Sequence, residues 1–454
     1  MNIDLDLIEK TVALLFSLLI LINGYLLAKV AKTWLIPSCL MSIFWFGYSF
    51  LPLIGLYTVP VNAISIVYIF VAVFLFSLPA YFINWNAARA KNQLKVKMNM
   101  KYEFHTGFLM KTFYFIQCLV VMIIILDILA QGFAIRDIIF NLVEVSSQYI
   151  ALRYAGEINA TLLSRMGTVF NYVGVMLGGL VFSTAIRTSK KYFILLLTLL
   201  PSVVIMVVQG AKGTLFLCAV LFYSTFLIYR IYEGNLKISD KKVNRNIVLA
   251  LMVLFPAVIS SFLSRGLYGY DADYIIERLI SYFSSYAFAH LYAFSDWFSF
   301  YTGNPHTNNY TSSPEYYFGF YTFMSLFRLM GDTTEVPPGI YDEYFQYNDF
   351  LQTNIYTFFR GLILDFGIGG SFIFMLILGA IANISFRNVL RSVRPYFSLS
   401  FFSVMTGFYY TSFIISIFIW NSIFFTFLIF SAILYLNRKV YLLKITKHAD
   451  TYNE

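Results

Sequence analysis

Charge and cysteine are both scarce in this chain of 454 residues: Asp, Glu, Lys and Arg together make up 12% of it, and there are three cysteines. Cys39, Cys118 and Cys218 all fall inside apolar runs without a CxxC spacing, so neither a disulfide framework nor structural zinc is expected. The glycine loops GxGxxG and GxxxxGK[ST], the HExxH pair and the EF-hand loop are also absent, which removes the common nucleotide, zinc-protease and calcium chemistries. Asp365-Phe366-Gly367 lies in an apolar run without a glycine-rich or HRD companion, so it does not read as a kinase magnesium motif. The net charge of +9 is spread over short connectors rather than one soluble face, which argues against nucleic acid as a partner.

What fills the chain instead is apolar. Hydrophobic residues reach 59% and the mean hydropathy is +0.72, values that belong to a polytopic membrane protein rather than a soluble domain. Asp4, Asp6 and Glu9 make the leading segment acidic and no small-residue cleavage site follows, so the first apolar run reads as a retained anchor. A helix crosses the hydrocarbon with roughly 20 apolar residues. Eleven such runs (within a range of 10–13) are expected, at about 8–28, 34–56, 61–84, 111–130, 163–186, 192–209, 214–230, 246–263, 361–384, 397–415 and 418–436. The fold class is therefore all-α and polytopic.

Basic residues orient it. The connectors that alternate to one side hold 23 of the 32 Lys and Arg, which places that side in the cytoplasm, the amino terminus outside and the carboxyl terminus inside. Three regions follow: spans one to eight over 1–263, a large external loop over 264–360, and three spans with a cytoplasmic tail over 361–454. Apolar and charged residues mix at helical spacing over 131–162 and 271–300, and both segments are expected to form external interfacial helices.

Chemistry is sought at the external lip and in the loop. Lys212 stands in the turn Gln209-Gly210-Ala211-Lys212-Gly213, Arg265 follows the eighth span, and Arg360 precedes the ninth. Three such cations suit a pyrophosphate at headgroup level, since arginine offers a planar fork of donors and lysine a compact charge. The plainer alternative is snorkelling to lipid headgroups. Asp365, one turn deeper than Arg360, and Asp127 are carboxylates that need a partner or a polar cavity. The loop is dense in aromatics, among them Trp297, Tyr310, Tyr341 and Tyr356, whose faces suit sugar rings as well as an interfacial belt. Candidate general bases are His306, Glu315, Asp332, Glu335, Asp342 and Glu343, with His290 set aside because it falls in an aromatic stripe.

The run from Asn354 through Thr357 and Arg360 to Asp365-Phe366-Gly367 and Gly370 resembles the signature that closes the large periplasmic loop of the Wzy-type O-antigen polymerase family. The turn at Gly210 to Gly213, the chain length and the position of the loop add to the resemblance. It implies a GT-C-like membrane glycosyltransferase in the bacterial inner membrane, joining oligosaccharide repeat units carried on undecaprenyl pyrophosphate. No cofactor or metal is implied. It further implies that Arg265, Arg360, His306 and Asp365 act in catalysis, and that Lys212, Arg278, Asn354, Thr357, Tyr310 and Tyr356 contact the substrate. A flippase and a chain-length regulator would be partners. Lys212 departs from the arginine often found in the glycine turn. The rival readings are a lipid-linked oligosaccharide flippase or other transporter, an O-antigen ligase, and a protein without chemistry.

Overall fold

In the computed structural model the described residues are 3–154, 157–158, 161–210, 212–241, 243–245, 248, 252, 256, 259, 262–263, 270–311, 316–337 and 339–453. Among them nine helices are long and apolar enough to cross a membrane: Asp6–Ala31, Pro37–Gly55, Ala63–Tyr81, Gly107–Ala130, Leu162–Thr184, Thr188–Gln209, Lys212–Tyr232, Thr357–Arg391 and Asn421–Thr446. They coincide with nine of the eleven expected runs, and the chain is a multi-pass membrane protein. The expected eighth span, 246–263, falls mostly outside the described residues.

The expected span 397–415 is the helix Tyr396–Thr411, which has 16 residues and is about 24 Å long at 1.5 Å per residue. A 3-10 turn at Ile417–Ile419 separates it from the next helix.

The chain divides into two compact units. The first comprises Met1–Asn86, Gly269–Arg387 and Phe408–Asn421. Its base is α1 (Ile3–Ala31), α2 (Pro37–Gly55) and α3 (Ala63–Tyr81), which pack on one another. Two consecutive residues of α1 close the α2–α3 corner. The Glu9 carboxylate accepts the Ala63 amide at the start of α3, while the buried Lys10 ammonium donates to the carbonyls of Leu56, the C-cap of α2, and Val59 in the connector beyond it, and contacts the Tyr292 hydroxyl. Each charge meets the helix end whose unpaired backbone groups and dipole it complements.

Unit two comprises Ala87–Tyr268, Asn388–Gly407 and Ser422–Glu454. It holds α4 (Trp85–Lys97) from residue 87 onward, a 3-10 turn at Met100–His105, and α5 (Gly107–Ala130). The connector 131–162 carries two helices broken at Asn141, α6 (Ile135–Phe140) and α7 (Leu142–Tyr154), rather than one. Then come α8 (Leu162–Thr184), α9 (Thr188–Gln209) and α10 (Lys212–Tyr232). At Gly179 a Cβ would lie 2.1 Å from Thr225 Oγ1 and 2.3 Å from the Phe222 carbonyl, so α8 and α10 meet backbone to backbone only because the residue is glycine.

The expected interfacial helix at 271–300 is two helices, and only the first exposes an apolar face. In α11 (Ala272–Ala287) the small side chains Ser281, Ser284 and Ser285 are buried, while Ile276, Ile280 and Phe283 are exposed. In α12 (Ala289–Tyr301) Leu291, Phe294, Trp297 and Phe298 are buried, and Ser295 and Ser299 accept hydrogen bonds from the backbone and side-chain amides of Asn62. His290 donates from Nε2 to the Tyr48 carbonyl at 3.0 Å. This segment is part of the core, which corrects the expectation of an interfacial helix over all of 271–300. The rest of the loop forms α13 (Phe320–Leu329) and a hairpin of β1 (Phe345–Tyr347) and β2 (Leu351–Thr353), antiparallel with Gln346 opposite Gln352.

The chain then enters α14 (Thr357–Arg391) and continues into α15 (Tyr396–Thr411) and α16 (Asn421–Asn453). Gly367 interrupts α14 at φ 67° and ψ 177°, a conformation essentially reserved for glycine.

Candidate functional site

A guanidinium enclosed by aromatic rings is the centre of the site, and every residue that builds it belongs to the first unit. Arg360 is on the first turn of α14 and is 3% exposed. Its guanidinium carbon lies 4.1 Å from the Tyr341 ring centre, 4.3 Å from Tyr356, 5.2 Å from Trp297 and 5.7 Å from Tyr310. Such ring faces attract a cation, more strongly where water is excluded. Nη2 pairs with Glu343 Oε2 at 2.7 Å. Among the described residues, Nε and Nη1 are buried without a hydrogen-bond partner.

The walls are held by polar tethers. Asp296 on α12 accepts from the backbone and side chains of Thr307 and Asn308 and from the Tyr310 hydroxyl at 2.8 Å, so the 307–310 segment is fixed against the core helix. The Asn308 side-chain oxygen Oδ1 accepts the Gln346 backbone amide of the hairpin at 3.0 Å. Tyr356 donates to the Glu343 carbonyl at 3.1 Å, and Glu343 Oε1 accepts the Thr311 amide and hydroxyl at 3.2 and 2.7 Å. Burial works to raise the Glu343 carboxyl, but the Arg360 charge and the two Thr311 donors outweigh it and hold the group below its ordinary value. Burial pushes the Tyr310, Tyr341 and Tyr356 phenols far above theirs, so they stay neutral.

The sequence-predicted residues divide as follows. Arg360, Tyr310 and Tyr356 meet in the box. Thr357 is fully buried beside it at φ 66°, its hydroxyl accepting the Phe359 amide at 3.3 Å, and it shapes the entry to α14. Asn354 packs against Gly339, where a Cβ would lie 2.7 Å from its Nδ2. His306 is exposed, with Nδ1 3.2 Å from the Asn304 carbonyl, and stands one ring away, edge-on to Phe300. Arg278 engages Tyr274, one turn earlier on α11.

Asp365 caps a helix of the loop. Its oxygens accept the amides of Tyr321 and Thr322 at 3.2 and 2.6 Å, in the first turn of α13. Lys212 opens α10 in the second unit, its ammonium 3.1 Å from the Phe262 ring centre. Arg265 and Glu315 lie outside the described residues. Trp297 and Tyr341 were visible in the sequence only as members of an aromatic crowd. Asp296 was missed, because its partners lie 11 to 14 residues away without a recognisable spacing. Among the described residues no group of three or more His, Cys, Asp or Glu is placed to hold a metal ion.

No protein-family model, no curated protein and no solved structure matches the chain.

Proposed function

We propose that the chain is a membrane glycosyltransferase that polymerises oligosaccharide repeat units carried on undecaprenyl pyrophosphate, in the manner of the Wzy-type O-antigen polymerases it resembles. The reaction would run at the periplasmic face of the bacterial inner membrane. The observation that carries this reading is the buried Arg360 guanidinium, with Nε and Nη1 unpartnered, where the aromatic loop enters a spanning helix. Unsatisfied donors at such depth are costly unless a ligand uses them. An oxyanion is the ligand they fit. A phosphate leaving the anomeric carbon gains charge in the transition state, and a fixed cation in a water-poor site stabilises that charge more than the ground state. The surrounding tyrosines and Trp297 supply ring faces and hydroxyl partners suited to carbohydrate.

The test is genetic. In the strain of origin with this chain deleted, Arg360→Ala returned at wild-type membrane abundance should leave surface polysaccharide as single repeat units. A normal long-chain ladder on a gel would remove the polymerase reading.

A further inference from the structure

Resting on that reading, we infer that Glu343 is the general base of the reaction and that it is released for this role by the donor substrate itself. The argument starts from the guanidinium. Nη2 belongs to both two-pronged edges of an arginine, Nε with Nη2 and Nη1 with Nη2, and both edges match a phosphate. Glu343 occupies Nη2 alone, leaving Nε and Nη1 idle, so it blocks both forks at once. A diphosphate that takes either fork must displace the Glu343 carboxylate, and it carries more charge with which to do so.

Displacement changes the carboxylate. The Arg360 charge that keeps Glu343 acidic is then shared with the diphosphate, while burial, the opposing influence, persists. Glu343 becomes more basic only when the donor is seated. Of the other carboxylates of the region, Asp296 is committed to the 307–310 segment, Asp365 to the cap of α13, and Asp332 to Thr334 and Tyr317. Among the described residues Glu343 is the carboxylate in contact with Arg360.

In the step that follows, the acceptor hydroxyl oxygen attacks the anomeric carbon of the donor sugar and its proton passes to Glu343. The bond from that carbon to the diphosphate oxygen breaks, the electron pair leaves on the diphosphate, and Arg360 holds the new charge. The proton is later lost to water. Among the described residues, the charged and titratable groups facing Glu343 are Arg360, Tyr341 and Tyr356, and the phenols stay neutral throughout.

The test uses the full-length purified protein, inorganic pyrophosphate as the binding probe, and lipid-linked repeat units extracted from the deletion strain as substrate. Glu343→Gln should lower turnover about 100-fold or more while binding pyrophosphate more tightly than wild type; Arg360→Gln should lose both. Turnover of Glu343→Gln at the wild-type rate, with Arg360→Gln inactive, overturns the base and leaves the polymerase reading standing. Wild-type turnover in both variants overturns the polymerase reading itself. If Glu343→Gln fails to fold, Glu343→Asp decides: a displaced acid limb in its pH–rate profile supports the base, and an unmoved limb overturns it.

Discussion

Two arginine–glutamate pairs, one in each unit, are built from the same two side chains and behave in opposite ways. In the first unit Arg360 and Glu343 are 2.7 Å apart and the glutamate lies below its ordinary value. In the second Arg438 and Glu103 are 2.9 Å apart, yet burial lifts the glutamate to about 7 despite Arg438 and Lys95 nearby. The difference lies in how much each carboxylate has lost and gained. Glu343 keeps 16% of its side-chain surface and has two Thr311 donors besides the arginine; Glu103 keeps 4%. A close arginine therefore does not by itself ensure a charged carboxylate. Solvent loss and the number of donors decide.

Removing the arginines one at a time gives the sharpest contrast. Arg360→Ala leaves Glu343 half-buried without its counterion, a loss of roughly 1–3 kcal/mol that should appear as a drop in the melting temperature of the purified protein. An equal melting temperature would break the comparison on its first side.

The second pair answers through pH. Between about 4.5 and 7 the folded protein keeps the Glu103 proton that the unfolded chain gives up, so this group makes stability fall as pH rises through that window. Glu343 has the reverse sign: its contribution is present above pH 4.5 and is lost as pH falls below it. Arg438→Ala should thus cost little at pH 6, where Glu103 is largely neutral, and more above pH 7, by up to about 1.4 kcal/mol per pH unit. Glu103→Gln should flatten the slope between pH 5 and 7. Melting curves at pH 5, 6, 7 and 8 measure both, and an unchanged slope in Glu103→Gln would show that another group titrates there.

Smallest is the effect at a carboxylate that has no cation at all. Asp365→Ala removes the amide acceptors at the start of α13 and should cost about 1–2 kcal/mol, read as faster proteolysis or amide exchange across 320–329. No change there would mean the cap is dispensable.

Nine spans were legible because length and apolarity are local properties, and so was the entry of Arg360 at the end of the loop. Residues 289–301 were not, since an aromatic 13-residue stretch has the same composition whether it lies on a membrane surface or in a core. The fold reveals the core, through the burial of Leu291, Phe294, Trp297 and Phe298 and the bonds of Ser295 and Ser299 to Asn62. Glu343 was visible as one of six candidate bases, but its choice needs the fold, because the hairpin that returns it to Arg360 rests on strands of three residues each. Asp365 looked like a functional carboxylate for the same reason that makes it a good cap: it is an acid at the edge of an apolar run.

The Glu9 and Lys10 corner bears on how the chain is made. Synthesis delivers α1 first, so both clasping groups are already in the bilayer when residues 56–63 emerge, and the first hairpin locks without awaiting later spans. The Tyr292 hydroxyl, 282 residues beyond Lys10 in the sequence, reaches it much later. A ribosome pausing between these events would hold a three-helix foundation finished at its corner and still open on the side where the aromatic core helix docks.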